Sequence, residues 1–425
     1  MGRLDEALAY FRKAVRDDSG NIWAHVNLGK FLKQTGRLDE ALAHYQQALV
    51  LDPKNPAAQD GVRSVRMRQG RGEEVRLAWR KVLEADPPEP EVWFGYTELC
   101  LFLGRDEEYR RVSQALLRRF GTSTDPFIAE RIGRTCLLLP APEEEQRQAV
   151  ALVDHAVAAG ASKPDWAFAY FLFAQSLAAY RQGRPDRAIG LLQAEASLVP
   201  GPNPRLVLAM AQHSQGQKNE ARHTLAAAVV AFDWRAVQAD NARTWMSHVL
   251  RREAERLLLP NLPAFMDGKY QPQDDDERLA LLGACQFANR TGAMARLYAD
   301  AFAAAPSLAD DLAAGYRYNA ARAAALAGCG QGAGATNLGE KERTRWRQRS
   351  CQWLQADLAA RTRAIDTGSP DTGGAHRMAL KRCQTEPDLA GVREPSELDK
   401  LPADERKKFA ALWVQVAAVI NRGQK

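Results

Sequence analysis

The side chains that could do chemistry in this 425-residue sequence are present but ungathered. Seven histidines are scattered, with no HExxH and no His/Cys cluster, and His25 and His44 fall inside helical patterns. There a packed or surface role is expected rather than catalysis. Cys100, Cys136, Cys285, Cys329, Cys351 and Cys383 stand far apart with no CxxC. That spacing fits reduced thiols in a cytosol better than a disulfide framework or a zinc site. Nothing singles out a Cys/His nucleophile pair.

Three denser groups remain. Asp274, Asp275, Asp276 and Glu277 could be read as metal ligands, but no companion histidine or carboxylate has ligand spacing. They open a helical pattern, where acids cap free N–H groups and complement the helix dipole. No metal is expected. Gly328, Gly330, Gly332 and Gly334 lack the Gly-Lys-Ser/Thr and the preceding strand of a phosphate loop, so a flexible connection between helices is expected. Arg343, Arg345, Arg347 and Arg349 flank Trp346, with Trp353 two turns on. Nucleic-acid phosphates could use such a row. The better expectation is an amphipathic helix with Trp346, Trp353, Leu354 and Leu358 buried and the arginines solvated. Charge follows the same region: the net charge is +6, and residues 340–425 hold 17 Lys+Arg against 12 Asp+Glu. With no catalytic constellation, no cofactor is expected.

The elements that position these side chains come from a repeat. Gly2, Gly36, Gly70 and Gly104 are 34 residues apart, each followed by arginine. Ala7, Ala41, Val75 and Tyr109 follow at plus five; Phe11, Tyr45, Trp79 and Ser113 at plus nine; Ser19, Pro53, Pro87 and Gly121 at plus seventeen. Within residues 22–53, Leu28-Gly29, Leu32, Gly36, Ala41, Tyr45, Ala48 and Pro53 resemble the tetratricopeptide (TPR) consensus. Gly29 and Ala41 allow the two helices of a hairpin, A and B, to approach closely, and Leu28, Leu32, Leu38, Tyr45 and Leu49 fill their seam. Gly36 permits the left-handed turn that ends helix A, and Pro53 cannot continue helix B. The expected fold class is all-α: a TPR-type α-solenoid, a right-handed superhelix of about nine helical hairpins or their remnants.

Further on the register loosens. Gly183, Ala188, Leu192 and Pro200 repeat it, as do Gly216, Ala221, Leu225 and Ala228, and then Gly292, Leu297, Ala301 and Ala304. Residues 125–139 and 143–159 read as a helix pair, 239–259 as a long helix stopped by Pro260 and Pro263, and no segment has strand alternation. The expected divisions are a regular array over 1–123, degenerate hairpins over 124–236, a further helical region over 237–365, and a linker with C-terminal capping helices over 366–425. The linker is placed at 366–374, and the last helix at 402–420 with Phe409, Leu412, Trp413 and Val416 on one face. Leu4, Leu8, Phe11 and Val15 form a helix B without its own helix A, which suggests a piece of something longer.

Three blocks go beyond generic repeats: Arg251 to Gly283, with Leu257-Leu258-Leu259-Pro260-Asn261-Leu262-Pro263; Arg317 to Gly332, with Arg317-Tyr318-Asn319-Ala320-Ala321; and Pro387 to Arg393. Together they resemble the C-terminal TPR tails of a bacterial family of serine/threonine protein kinases. In that family Arg322 would be a small residue or cysteine. The resemblance carries no activity, because the chain has no Gly-rich loop before a lysine strand, no His-Arg-Asp and no Asp-Phe-Gly.

Hydrophobic residues make up 46% and charged residues 26%, which argues against wholesale disorder. The most apolar stretch, 167–180, is broken by Gln175 and Ser176 and is shorter than the ~20 residues of a membrane span. Residues 1–6 contain no secretory h-region, and Glu6 departs from a myristoylation motif. A cytoplasmic location follows as the expectation.

A TPR array binds an extended peptide or a helix along its A-helix face. The register places Trp23, Asn27, Lys30 and Lys33 there, then Asp60, Ser64 and Met67, then Phe94, Glu98 and Leu101. Asn27 matches the asparagine that some TPR proteins use to hold a peptide backbone, while Gly61 and Gly95 stand at its equivalents. Lys30 and Lys33 favour an acidic ligand end. The expected function is a non-enzymatic scaffold for protein partners. The alternatives are a detached kinase tail and, from another class, a nucleic-acid-binding solenoid using the arginine helix.

Overall fold

The computed structural model describes residues 2–161 and 165–422. The side chains of residues 2–5 and 370 lie outside that description, so the seam position of Leu4 does too. The helices are α1 (Gly2–Asp17), α2 (Ile22–Gln34), α3 (Leu38–Leu51), α4 (Pro56–Arg68), α5 (Gly72–Leu83), α6 (Pro90–Phe102), α7 (Asp106–Phe120) and α8 (Pro126–Cys136). They continue with α9 (Glu143–Ala161), α10 (Phe168–Arg181), α11 (Pro185–Gln193), α12 (Asn203–Ser214), α13 (Lys218–Val230), α14 (Ala242–Leu258) and α15 (Leu262–Met266). The last are α16 (Asp275–Phe287), α17 (Thr291–Ala304), α18 (Tyr316–Gly328), α19 (Glu340–Thr367), α20 (Pro370–Cys383), α21 (Pro395–Leu398) and α22 (Ala403–Asn421). Among the described residues there is no strand.

Local chemistry sets the helix ends. Asn21 and Asn55 cap α2 and α4 by accepting from the amides of Ala24 and Ala58, and Asp125 caps α8 through those of Phe127 and Ile128. Asp274 does the same for α16 through Glu277 N, as expected of the acidic run. Gly36, Gly70, Gly104, Gly183 and Gly216 all have φ between 68° and 81° at the A-to-B turns. At the turn before α17 that role falls to Asn289, with φ 53°, whereas Gly292 lies inside the helix. The expected register there is therefore three residues too late; asparagine tolerates the left-handed conformation and left no glycine to mark the turn.

The chain falls into two units: unit 1 is Met1–Gln215 with Ala236–Glu253, and unit 2 is Gly216–Arg235 with Ala254–Lys425. In unit 1 Leu28, Leu32, Ala41, Tyr45, Ala48 and Val65 form a buried cluster against which Leu8, Phe11 and Val15 of α1 pack. The Tyr45 ring is wedged between α2 and α4: a Cβ placed on Gly61 would meet it at 2.3 Å, and one placed on Gly29 would meet it at 3.0 Å. One hairpin later a Cβ on Gly95 would meet the Trp79 ring at 2.9 Å. This explains the missing asparagines, since the preceding B helix puts an aromatic ring where their side chains would begin.

Beyond that register slip, unit 2 departs from expectation in three further places. Residues 366–374 are helical apart from Gly368-Ser369, because α19 runs on to Thr367 and Ser369 caps α20 through Thr372 N. The glycine segment is a packed turn: a Cβ on Gly328 would meet Arg347 N at 2.8 Å, and one on Gly332 would meet Asn289 O at 2.7 Å. In α19, Trp346, Trp353, Leu354 and Leu358 are buried as expected, but Arg347 is buried with them. It binds Glu405 Oε2 at 2.5 Å, the Gly328 carbonyl at 2.8 Å and Glu340 Oε1 at 2.6 Å. A buried guanidinium needs these partners, and they withdraw it from any solvent-facing row. Arg322, where a small residue was expected, reaches Asp388 Oδ2 at 2.6 Å and shares that carboxylate with Arg235. Phe409, Leu412 and Val416 of α22 are buried, and Trp413 donates to the Val392 carbonyl.

Candidate partner-binding face

The A helices of unit 1 are α2, α4, α6, α8, α10 and α12, and the expected groove residues on the first three separate into two sets. Trp23, Asn27, Lys30 and Asp60 are exposed, with Trp23 at 66%. Asp60 pairs with Arg63 one turn on. Lys33, Ser64, Met67, Phe94, Glu98 and Leu101 are partly or wholly buried. Met67 turns toward α5, near Gly72. The Phe94 ring lies beneath the Arg131 guanidinium at 5.4 Å. Glu98 accepts from Thr135 Oγ1 at 3.0 Å and lies 3.4 Å from Arg134; burial pushes its carboxyl up against the pull of Arg134.

The chain's own residues 236–253 account for much of this closure. Asp240 accepts from Ser64 Oγ at 2.8 Å and Arg68 Nε at 2.7 Å, and Lys33 Nζ stands 3.6 Å away while donating to Ser64. Burial pushes the Asp240 carboxyl up, but the bonds from Arg68 and Ser64 and the Lys33 charge outweigh it and hold it below the usual range. Burial lowers the Lys33 ammonium, which Asp240 only partly restores. Next, the Trp245 indole stacks on Phe102 at 6.3 Å and meets Trp79 edge-on at 6.4 Å. Met246 Sδ lies 2.9 Å from Arg134, Arg252 donates to the Leu101 carbonyl at 2.9 Å, and Glu253 binds Arg181 at 2.7 Å. Arg68, Trp79, Phe102, Arg134 and Arg181 were not among the expected residues. A usable signal existed for two of them, because Gln34, Arg68 and Phe102 share one register position at the C-terminal ends of successive A helices.

Residues 1–64 match the family model for the tetratricopeptide repeat. The fold is an all-α solenoid of TPR repeats, as the 34-residue pattern and the paired helices require. Among solved structures, a tetratricopeptide repeat protein from Parabacteroides merdae ATCC 43184 is 14% identical over 59% of this chain and 93% of its own, with a TM-score of 0.38. YrrB, a TPR protein with an unusual peptide-binding site, is 16% identical over 48% of this chain and 97% of its own, with a TM-score of 0.31. A chain of the APC/C hetero-tetramer Cut9–Hcn1 is 16% identical over 82% of this chain and 59% of its own, with a TM-score of 0.33. No curated protein matches the sequence as a relative.

Other candidate groups are absorbed by packing. His25 Nδ1 lies 3.1 Å from His44 Nδ1, and His25 Nε2 lies 3.1 Å from the Ser19 carbonyl. No cysteine is bonded to another, and burial pushes Cys100, Cys136 and Cys383 up to about 12, away from thiolate chemistry. Among the described residues no group of three potential ligands could hold a metal, and no helix is long and apolar enough to cross a membrane.

Proposed function

We propose that this chain is a non-enzymatic TPR scaffold that holds a protein partner on the open end of the A-helix face of unit 1, at Trp23, Asn27, Lys30 and Asp60. One observation carries the reading: Trp23, Asn27 and Lys30 lie at helical spacing on α2 and are all exposed, while the groove residues beyond Asp60 are buried. A large indole left in water beside a backbone-binding amide and an ammonium is the composition of a recognition surface. Lys30 favours an acidic partner segment. Six cysteines far apart in sequence with no CxxC support a reducing compartment, the cytosol.

The test is affinity purification of the wild-type chain beside Asn27→Ala/Lys30→Glu. At least one co-purifying protein is expected to be lost from the variant, because charge reversal at the open end repels an acidic segment. A partner set identical in both preparations overturns the assignment.

A second reading makes the chain a regulatory tail of a serine/threonine kinase. It is favoured by the packing of two of the resembling blocks on each other inside unit 2, where Gly391 lies against Cys329 Sγ. The gene upstream of Met1 decides it: in-frame His-Arg-Asp and Asp-Phe-Gly codons are expected, and a nearby stop codon removes the reading.

A further inference from the structure

We infer that residues 236–253 are a resident ligand, an internal segment that closes the A-helix face of unit 1 from α4 to α10 against other helices. The inference rests on the reading of that face as a binding face. The segment is an excursion: residues 216–235 belong to unit 2, 236–253 to unit 1, and the chain from 254 on to unit 2 again. Its contacts have the layout of an interface. A central indole, Trp245, sits between Trp79 and Phe102 and is only 2% exposed. Charged contacts lie at both ends, Asp240 on Arg68 and Glu253 on Arg181. A buried aromatic anchor ringed by polar pairs is how helix-in-groove complexes are built. The approach to the anchor is wet, since Ala236, Val237, Asn241 and Arg243 are exposed, so opening can begin there.

Tethering gives the segment an effective concentration on the order of millimolar, so a helix in trans sees a closed face unless it carries the same side chains. The competing ligand is therefore an amphipathic helix with a carboxylate, an indole five residues later and a second carboxylate near its end. It would bind by exchange with the resident segment.

The experiment uses the full chain and a fluorescein-labelled peptide of residues 236–254. Asp240→Ala/Trp245→Ala is expected to bind the peptide at least about tenfold more tightly than wild type, because the weakened tether no longer competes. Arg68→Glu added to that variant is expected to abolish binding. Equal binding by wild type, or none by a variant that keeps its helical circular dichroism and cooperative melt, overturns the inference. Where the double variant fails to fold, hydrogen exchange of the wild type decides. Amides of 242–253 are expected to exchange while α6 and α8 stay protected, and common exchange of all three overturns it. Neither readout involves Asn27 or Lys30, so the open-end assignment and this inference can fail separately.

Discussion

One face of unit 1 is built in two ways along its length. On α2 it presents Trp23, Asn27 and Lys30 to solvent, whereas from α4 to α10 it is lined by side chains that meet residues 240–253 of the same chain. Both stretches have the same repeat register. What differs is a helix from elsewhere in the sequence, so position within a repeat does not by itself decide whether a residue is available. The largest expected effect breaks that contrast at its anchor. Trp245→Ala should lower unfolding free energy by ~3–5 kcal/mol, since it empties an aromatic site between two others. Trp23→Ala, an indole of the same size left 66% exposed, should stay within ~0.5 kcal/mol of wild type. Thermal melts of the two variants check both, and equal shifts would erase the distinction.

The next contrast lies between Asn27 and its repeat equivalent Gly61. Asparagine is tolerated at 27 on an exposed surface, but Gly61→Asn would put a Cβ 2.3 Å from Tyr45 Cε1. The gain in helix propensity over glycine is a few tenths of a kcal/mol, while overpacking costs ~1–3 kcal/mol, so the clash wins. Denaturant midpoints should fall for Gly61→Asn and hold for Asn27→Ala.

The hairpins were legible because their determinants are local. A glycine that must adopt positive φ, such as Gly36 or Gly183, and small residues where helices touch, such as Ala41 and Ala188, mark the period directly. Where another residue takes the same conformation, as Asn289 does, the mark vanishes and the register slips. The closed part of the face was illegible for a different reason. Ser64 meets Asp240 across 176 positions, and no periodicity within either segment encodes such a pairing. Arg347 was misjudged in the same way, because Glu405, which neutralises it, lies 58 positions away on another helix.

A smaller effect separates the charge contact of the resident segment from its indole. Asp240→Asn keeps the shape and the Ser64 hydrogen bond but removes the charge facing Arg68 and Lys33. The loss should be ~1–3 kcal/mol, less than at Trp245, because all three groups keep some solvent. The folded-state pKa of Asp240 is lowered. Its contribution is therefore complete above the unfolded carboxyl pKa of about 3.9 and is lost as pH falls through the lower folded value. Wild type should thus show a steeper acid limb in melting temperature than Asp240→Asn. Parallel limbs would remove Asp240 as an ionic contact.

The smallest effect belongs to the open end. His25 Nε2 faces the Ser19 carbonyl and so carries its proton there, leaving Nδ1 to accept from His44 Nδ1–H at 3.1 Å. Burial lowers the His44 pKa, with His25 and Arg12 acting in the same sense and Glu40 opposing. A base with a depressed folded pKa supports the fold above its unfolded pKa of about 6.5 and loses that support as pH falls through the folded value. Melting temperature should therefore decline between about pH 7 and pH 5 in wild type, an interval in which a carboxylate such as Asp240 is already fully ionised. His44→Gln retains an amide that can donate to His25 but cannot be charged, so it should flatten this decline while leaving the lower acid limb unchanged. The difference should be under about 1 kcal/mol for a half-buried ring. An unchanged slope between pH 7 and 5 would show that His44 is solvated well enough to titrate without consequence for the fold.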